Sequence, residues 1–249
     1  MTTSGERGGA RAAPDFSHIE NWIFDLDNTL YPAHCNLFAQ IDRRMADFIE
    51  VRLGLPPAEA RRLQKGYYVR YGTTLSGLMV EHDVSPDDFL AHVHDIDVTV
   101  LDADDRLRAA ISALPGRRFI FTNGSTRHAE RVTERLGIAD LFDEVFDIRA
   151  AGYTPKPHRI AYERMIGEFA LAPSASAMFE DIAHNLEAAH ALGMTTVLVS
   201  SDAPWFDDEP DAKRPARPGE RQGAHVQHET NDLAGFLEQA LASSAGDRP

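Results

Sequence analysis

Two carboxylates stand one residue apart, Asp25 and Asp27, directly after the apolar run Trp22-Ile23-Phe24 and before Asn28 and Thr29. In an extended chain alternate residues point the same way, so both acids face one site if strand geometry continues past Phe24. An apolar run of this kind reads as a buried strand, and its carboxyl end is where open α/β sheets carry their chemistry. Two later runs end in the same manner. Arg118-Phe119-Ile120-Phe121 leads into Thr122-Asn123-Gly124-Ser125, and Ala177-Met178-Phe179 leads into Glu180-Asp181, with Asn185 beyond. A single lysine, Lys156, sits between the backbone-restricting Pro155 and Pro157.

Carboxylates gathered this closely repel one another unless a cation lies among them, and an all-oxygen ligand set suits Mg²⁺. Such an ion keeps open positions for water and phosphate oxygens, while a lysine and backbone N–H groups take up further phosphate charge. An aspartate can attack phosphorus and pass through an aspartyl-phosphate. A second carboxyl can protonate the leaving oxygen and then activate water. The chemistry that uses every member of the set is metal-assisted phosphoryl transfer.

The elements that must hold these groups follow from periodicity and punctuation. Apolar residues at helical spacing predict a helix over 36–53, and Pro56-Pro57 opens another that runs to Tyr71 and stops at Gly72. Ser85-Pro86-Asp87-Asp88 is the start signal of a third. No strand pattern lies between Tyr31 and Arg117, so residues 33–102 read as an all-helical insertion. Strands and helices then alternate, with helices over 105–114, 126–136, 159–169 and 186–192, and strands near 118–121, 144–148, 177–179 and 195–199. That alternation predicts an α/β fold with a parallel sheet covered on both faces. Residues 201–227 read as an irregular loop, and 232–241 as a final helix.

Lys and Arg number 25 against 39 Asp and Glu, a formal charge of −14, which argues against a nucleic-acid polymer or an anionic membrane as partner. A small anionic substrate remains compatible, because a local cation reverses the field within a cleft. The one cysteine, Cys35, rules out an intramolecular disulfide, fits a cytoplasmic setting and reads as a small apolar residue. No stretch approaches the length of a membrane helix. Residues 1–17 read as a disordered leader. The histidines His82, His92 and His94 fall in the helical insertion and read as scattered surface residues, since a metal site needs convergent geometry.

Asp25-Leu26-Asp27-Asn28-Thr29-Leu30 matches the D-x-D-x-T-L signature, and with Thr122, Lys156 and Asp181 in order the sequence resembles the phosphatase branch of the haloacid dehalogenase superfamily. The resemblance implies a Rossmann-like core over 18–32 and 103–243, with the insertion as a helical cap that closes over the site and selects substrates. It makes Asp25 the nucleophile and Asp27 the general acid/base, and gives phosphate binding to Thr122, Asn123, Gly124 and Lys156. It places Mg²⁺ on Asp25, the backbone carbonyl of Asp27, and Asp181. Glu180 stands where many members have glycine. Asn185 stands where many have a second acid, and is expected to support the metal's water shell or Lys156.

Dehalogenases of this fold lack an acid at the Asp27 position, so Asp27 favours a phosphate ester. The Asn-Thr-Leu-Tyr continuation, the stretch Tyr67-Tyr68-Val69-Arg70-Tyr71-Gly72-Thr73-Thr74-Leu75 and Phe179-Glu180-Asp181 look like the pyrimidine 5′-nucleotidase subgroup. That implies a nucleoside monophosphate substrate, with Tyr67 and Tyr71 contacting base or sugar. A sugar-phosphate or phosphoglycolate phosphatase is the alternative. A regulatory module without turnover is another, against which the intact acid pair and lysine count.

Overall fold

The computed structural model describes residues 15–209, 214–220 and 223–245. Strand β1 (Asn21–Phe24) is followed by four helices, α1 (Leu37–Leu53), α2 (Pro57–Tyr71), α3 (Thr74–His82) and α4 (Pro86–Val93). The alternating part is α5 (Asp105–Ser112), β2 (Arg117–Phe121), α6 (Thr126–Leu136), β3 (Glu144–Phe146), α7 (Arg159–Phe169), β4 (Ser176–Glu180), α8 (Leu186–Ala191), β5 (Thr195–Val199), β6 (His228–Thr230) and α9 (Leu233–Ala245). All strand pairings are parallel, in the order β3-β2-β1-β4-β5-β6. The chain thus builds outward from β1 on one side, then returns to build outward through β4 on the other. The crevice at that reversal lies at the carboxyl ends of β1 and β4, the place where such sheets bind ligands.

Alternation along the strands divides the core. Trp22, Phe24, Ile120, Ala177, Phe179 and Val197 share one apolar layer with α5, α9 and residues of α1–α4. Ile23, Phe119, Phe121, Met178 and Leu198 face the other layer, with residues of α7 and α8. Phe24 and Phe179, neighbours across β1 and β4, stack at 4.7 Å, and Trp22 lies 6.2 Å from Phe179. Aromatic pairs of this kind add about 0.5–1.5 kcal/mol beyond burial and fix the register beneath the site.

Several expectations need correction. The segment 74–82 was not anticipated as a helix, because Gly77 interrupts its pattern; in the structure Thr73 caps it, Oγ1 accepting from Ser76 N–H at 3.1 Å. Gly77 is required there, since a Cβ would overlap the Tyr67 ring where α2 and α3 close on each other. Phe16 falls within the leader expected over 1–17, yet it is buried and stacks on Trp22 at 5.9 Å; residues 1–14 lie outside the described residues. The segment after β5 is not featureless. A short 3-10 turn, Pro204–Asp208, buries Phe206, and β6 adds a polar edge strand directly beyond the expected loop. No described helix is long and apolar enough to cross a membrane.

Candidate active site

The first strand does not carry both acids by simple alternation. Asp25 N–H still bonds Phe179 O at 2.9 Å, continuing the ladder one residue past Phe24. Leu26 O then accepts from Thr29 and Leu30 N–H, and Asn28 adopts φ 64, which turns the chain back. Asparagine tolerates this left-handed conformation better than most residues. Asp25 and Asp27 nonetheless line one cavity, together with Thr122, Asn123, Gly124, Lys156, Glu180, Asp181 and Asn185.

Lys156 is 2% exposed and its ammonium has three partners: Asp25 Oδ1 at 2.6 Å, Glu180 Oε2 at 2.6 Å and Phe121 O at 2.9 Å. Burial alone would lower the lysine, but the Asp25 and Glu180 carboxylates outweigh it and raise it above its ordinary value. Its backbone is pinned by the neighbouring strand end, since Lys156 N–H donates to Asn123 Oδ1 at 2.8 Å and Asn123 Nδ2 donates to Lys156 O at 3.4 Å. The Asn123 side chain is therefore spent on the lysine. Thr122 Oγ1 accepts from Gly124 N–H at 2.9 Å and shapes the turn that follows β2.

Glu180 and Asn185 now have visible partners. Asn185 Nδ2 at 3.1 Å and Ile182 N–H at 3.3 Å donate to Glu180 Oε1, while Lys156 holds Oε2. Both Glu180 oxygens are engaged, so Glu180 orients the lysine, and Asn185 fixes Glu180. Burial, then the charge of Glu180, lifts Asp25 to about 7 against the pull of Lys156. Burial and the charges of Glu180 and Asp25 also raise Asp181 well above the usual carboxylate range.

Carboxylate oxygens of Asp25, Glu180 and Asp181 lie within 4.8 Å of one another, all buried. Three carboxylates face one ammonium, so a divalent cation with a preference for oxygen fits the donor set. Asp25 and Asp181 would hold it, Asp25 through oxygens that also accept from Lys156 and Thr29.

Asp27 is set apart from this cluster. Tyr31 Oη at 2.6 Å and His128 Nε2 at 2.8 Å both donate to its Oδ1. Burial pushes Asp27 up, but His128 and Tyr31 prevail and hold it below the usual carboxylate range. Oδ2 is the oxygen left to carry a proton. Neither partner was anticipated. The available signal for His128 was its place on the apolar face of α6, one turn before Val132 and two before Leu136.

His94 is corrected from a surface residue to a buried one. Its ring stacks on His128 at 4.4 Å and 6°, and Nδ1 lies 2.9 Å from Ser125 Oγ. Ser125 Oγ also accepts from His128 N–H, and His94 Nε2 lies over Gly124. Burial, then the neighbouring His128, lowers His94 to about 3, which keeps the ring neutral. His82 and His92 are half-buried, His82 bonding Tyr67 Oη at 2.7 Å and His92 packing on Phe48. Cys35 packs half-buried against the core with its thiol raised by burial, and it does not line the cavity.

The expected cap contacts are also corrected. Tyr67 and Tyr71 point into the packing of α2 on α3, where Tyr71 bonds Glu81, and neither lines the cavity. Tyr68, the residue between them in sequence phase, does, and α2 adds Gln64 and Lys65 to the same wall. The segment after β5 closes the opposite side. Trp205 stacks on Phe38 at 5.7 Å and donates to Ala33 O, Lys65 pairs with Glu209, and Ala216 N–H bonds Asp181 O at 2.9 Å.

A family model described as haloacid dehalogenase-like hydrolase matches residues 19–193. Phosphate metabolism protein 8 of Saccharomyces cerevisiae is 29% identical over 195 residues, 71% of this chain and 60% of that protein. Enolase-phosphatase E1 of Frankia alni is 37% identical over 87 residues, 33% of this chain and 36% of that protein. The chain thus spans less than two thirds of the length of either relative. Among solved structures, a HAD phosphatase from Thermococcus onnurineus aligns at TM-score 0.60 and 17% identity, covering 90% of this chain and 99% of that one. L-2-haloacid dehalogenase from Xanthobacter autotrophicus aligns at TM-score 0.53 and 14% identity, covering 88% and 97%. At such identities the likeness concerns the fold.

Proposed function

This chain belongs to the haloacid dehalogenase-like hydrolase family, and on that premise we propose that it is a Mg²⁺-dependent phosphomonoester hydrolase with a pyrimidine nucleoside 5′-monophosphate as substrate. The observation that carries the reading is the second acid, Asp27, held beside the Asp25 cluster in one cavity. A departing alkoxide needs a proton, and a departing halide does not. Mg²⁺, held by Asp25, Asp181 and the Asp27 backbone carbonyl, would offset phosphate and carboxylate charge.

The residues divide the work as follows. Lys156 and Thr29 hold the two oxygens of Asp25, Thr29 Oγ1 donating to Oδ2 at 3.2 Å, so the carboxylate enters the reaction aligned. Asp25 attacks phosphorus and forms an aspartyl-phosphate. Thr122 and the Asn123 backbone receive phosphate oxygens, and Lys156 and Gly124 N–H join them by exchanging their present partners, Asp25, Glu180 or Phe121 O for the one and Thr122 Oγ1 for the other. A phosphate dianion arriving beside Asp27 Oδ2 raises that carboxyl by like-charge repulsion, the direction a proton donor needs. Asp27 gives its proton to the leaving oxygen, then takes one from the water that opens the aspartyl-phosphate. Tyr31 and His128 keep it oriented through both steps.

A leaving-group series tests the division. Asp27→Asn is expected to lower kcat on alkyl phosphates by about 10²–10⁴-fold. It should cost aryl phosphates with acidic phenols clearly less in the first step, and it should leave much of the Mg²⁺ affinity in place. Equal losses across the series, or complete loss of metal binding, would show that Asp27 does something else.

The nucleotide reading draws on the rest of the cavity lining, where Phe38, Trp205, Tyr68 and Phe89 supply flat or apolar surface for a base. The deciding measurement is kcat/KM for uridine and cytidine monophosphates beside ribose 5-phosphate and phosphoglycolate, with the nucleotides expected to lead. Equal or better turnover of the others would assign the cavity to a sugar phosphate or phosphoglycolate. The single cysteine fits a reducing compartment such as the cytoplasm for such an enzyme.

A further inference from the structure

Gln64 lies on α2 in the cavity wall, 1% exposed and one turn before Tyr68. Its Nε2 donates to Asp42 Oδ1 at 2.6 Å and to Asp42 O at 3.0 Å. Asp42 is itself locked, its carboxylate taking Arg61 and Lys65, the latter at 2.7 Å. This pins the amide in one orientation, because turning it over would set Oε1 against two oxygens. Among the described residues Oε1 has no hydrogen-bond donor. A buried acceptor left unmatched beside a fully matched amide nitrogen costs stability, and it is held in place by four surrounding groups. Lys65 stands next to it in the wall with two of its three donors on Asp42 and Glu209. Adjacent residues of this wall therefore carry a covered, unmatched acceptor and a cationic donor, and the stacked Phe38 and Trp205 rings line the same cavity.

We propose that Gln64 and Lys65 form the subsite that reads the leaving group, recognising a flat heterocycle through an edge with a hydrogen-bond donor next to an acceptor. The inference rests on the nucleotide reading above and names its recognition element. Uracil meets the subsite with N3–H toward Gln64 Oε1 and a ring carbonyl toward Lys65. Cytosine meets it with its exocyclic amine toward Oε1 and N3 toward Lys65. Phosphoglycolate offers Lys65 a carboxylate acceptor but has no donor for Oε1. Asp42 and Arg61 act as positioning residues, fixing the amide nitrogen so that Oε1 is the atom left for a ligand.

The test compares kcat/KM on uridine monophosphate, its N3-methyl derivative and ribose 5-phosphate, for the wild type and for Gln64→Met. In the wild type the methyl group replaces the donor, and efficiency should fall by about 10- to 100-fold. In Gln64→Met the two nucleotides should come within about threefold of each other, because the acceptor that told them apart is gone. A wild type that prefers uridine monophosphate to ribose 5-phosphate yet ignores the N3-methyl group overturns the subsite alone. So does a variant that keeps the wild-type ratio. A wild type that hydrolyses ribose 5-phosphate as well as the nucleotide overturns the nucleotide reading, and the subsite with it. The N3-methyl comparison uses wild-type protein, so it decides even if Gln64→Met fails to fold.

Discussion

Asp25→Asn is expected to lower kcat by at least about 10⁴-fold on every substrate while leaving the fold intact. The substitution removes a nucleophile whose two oxygens are already aimed by Lys156 and Thr29. An amide of the same shape can keep those contacts but cannot attack phosphorus. It also removes one of three mutually repelling carboxylates, whose closeness is part of what lifts Asp25 and Asp181. Thermal stability measured without divalent cations should therefore hold or rise. Activity lost together with stability would show that Asp25 serves the fold first.

Lys156→Met acts in the opposite way on stability. The ammonium is almost wholly buried and satisfied by Asp25, Glu180 and the Phe121 carbonyl. Removing it strands two buried carboxylates, and breaking a buried ion pair from one side costs about 3–5 kcal/mol. Urea unfolding of Lys156→Met in chelator should show a loss of that order. Adding Glu180→Gln should restore part of it, since the stranded charge is then halved. Turnover should fall by about 10²–10³-fold, the usual effect of losing one electrostatic contact to a developing charge. A variant as stable as the wild type would mean that the lysine was not compensating its neighbours.

The contrast between these two variants reflects how charge is arranged at the strand ends. One acid attacks, one ammonium neutralises, and Glu180 with Asn185 holds the ammonium in line. Glu180 thus has a physical account: its two oxygens are filled by Lys156, Ile182 and Asn185.

Local pattern exposes some of this before any coordinates. Helix α6 ends at Gly137 and α7 spans Arg159–Phe169, both where apolar spacing and punctuation put them, and β5 is a continuous β-branched and aliphatic run. The acids and the lysine are legible because each ends or follows a recognisable element. What escapes local pattern is contact across the chain. His128 meets Asp27 from 101 residues away, and nothing near either residue announces the other. His94 directly follows α4 between buried Val93 and Ile96, and its contacts with His128 and Ser125 lie across the chain. In α2, Tyr67, Tyr68 and Tyr71 are alike in type, and which of them faces the cavity depends on how α3 packs, through Gly77 against Tyr67. Helix α3 and strand β6 were missed for a related reason, one carrying a glycine that packing requires and the other being short, polar and on the sheet edge.

The most direct test of the account is to trap the phosphoenzyme. Wild-type protein is mixed with radiolabelled substrate and Mg²⁺, quenched within the first turnover, and the labelled peptide mapped. The account predicts label on the peptide carrying Asp25, released by hydroxylamine as an acyl phosphate is, and none in Asp25→Asn. Turnover with label on another residue, or with none at any quench time while Asp25→Asn retains activity, would contradict it.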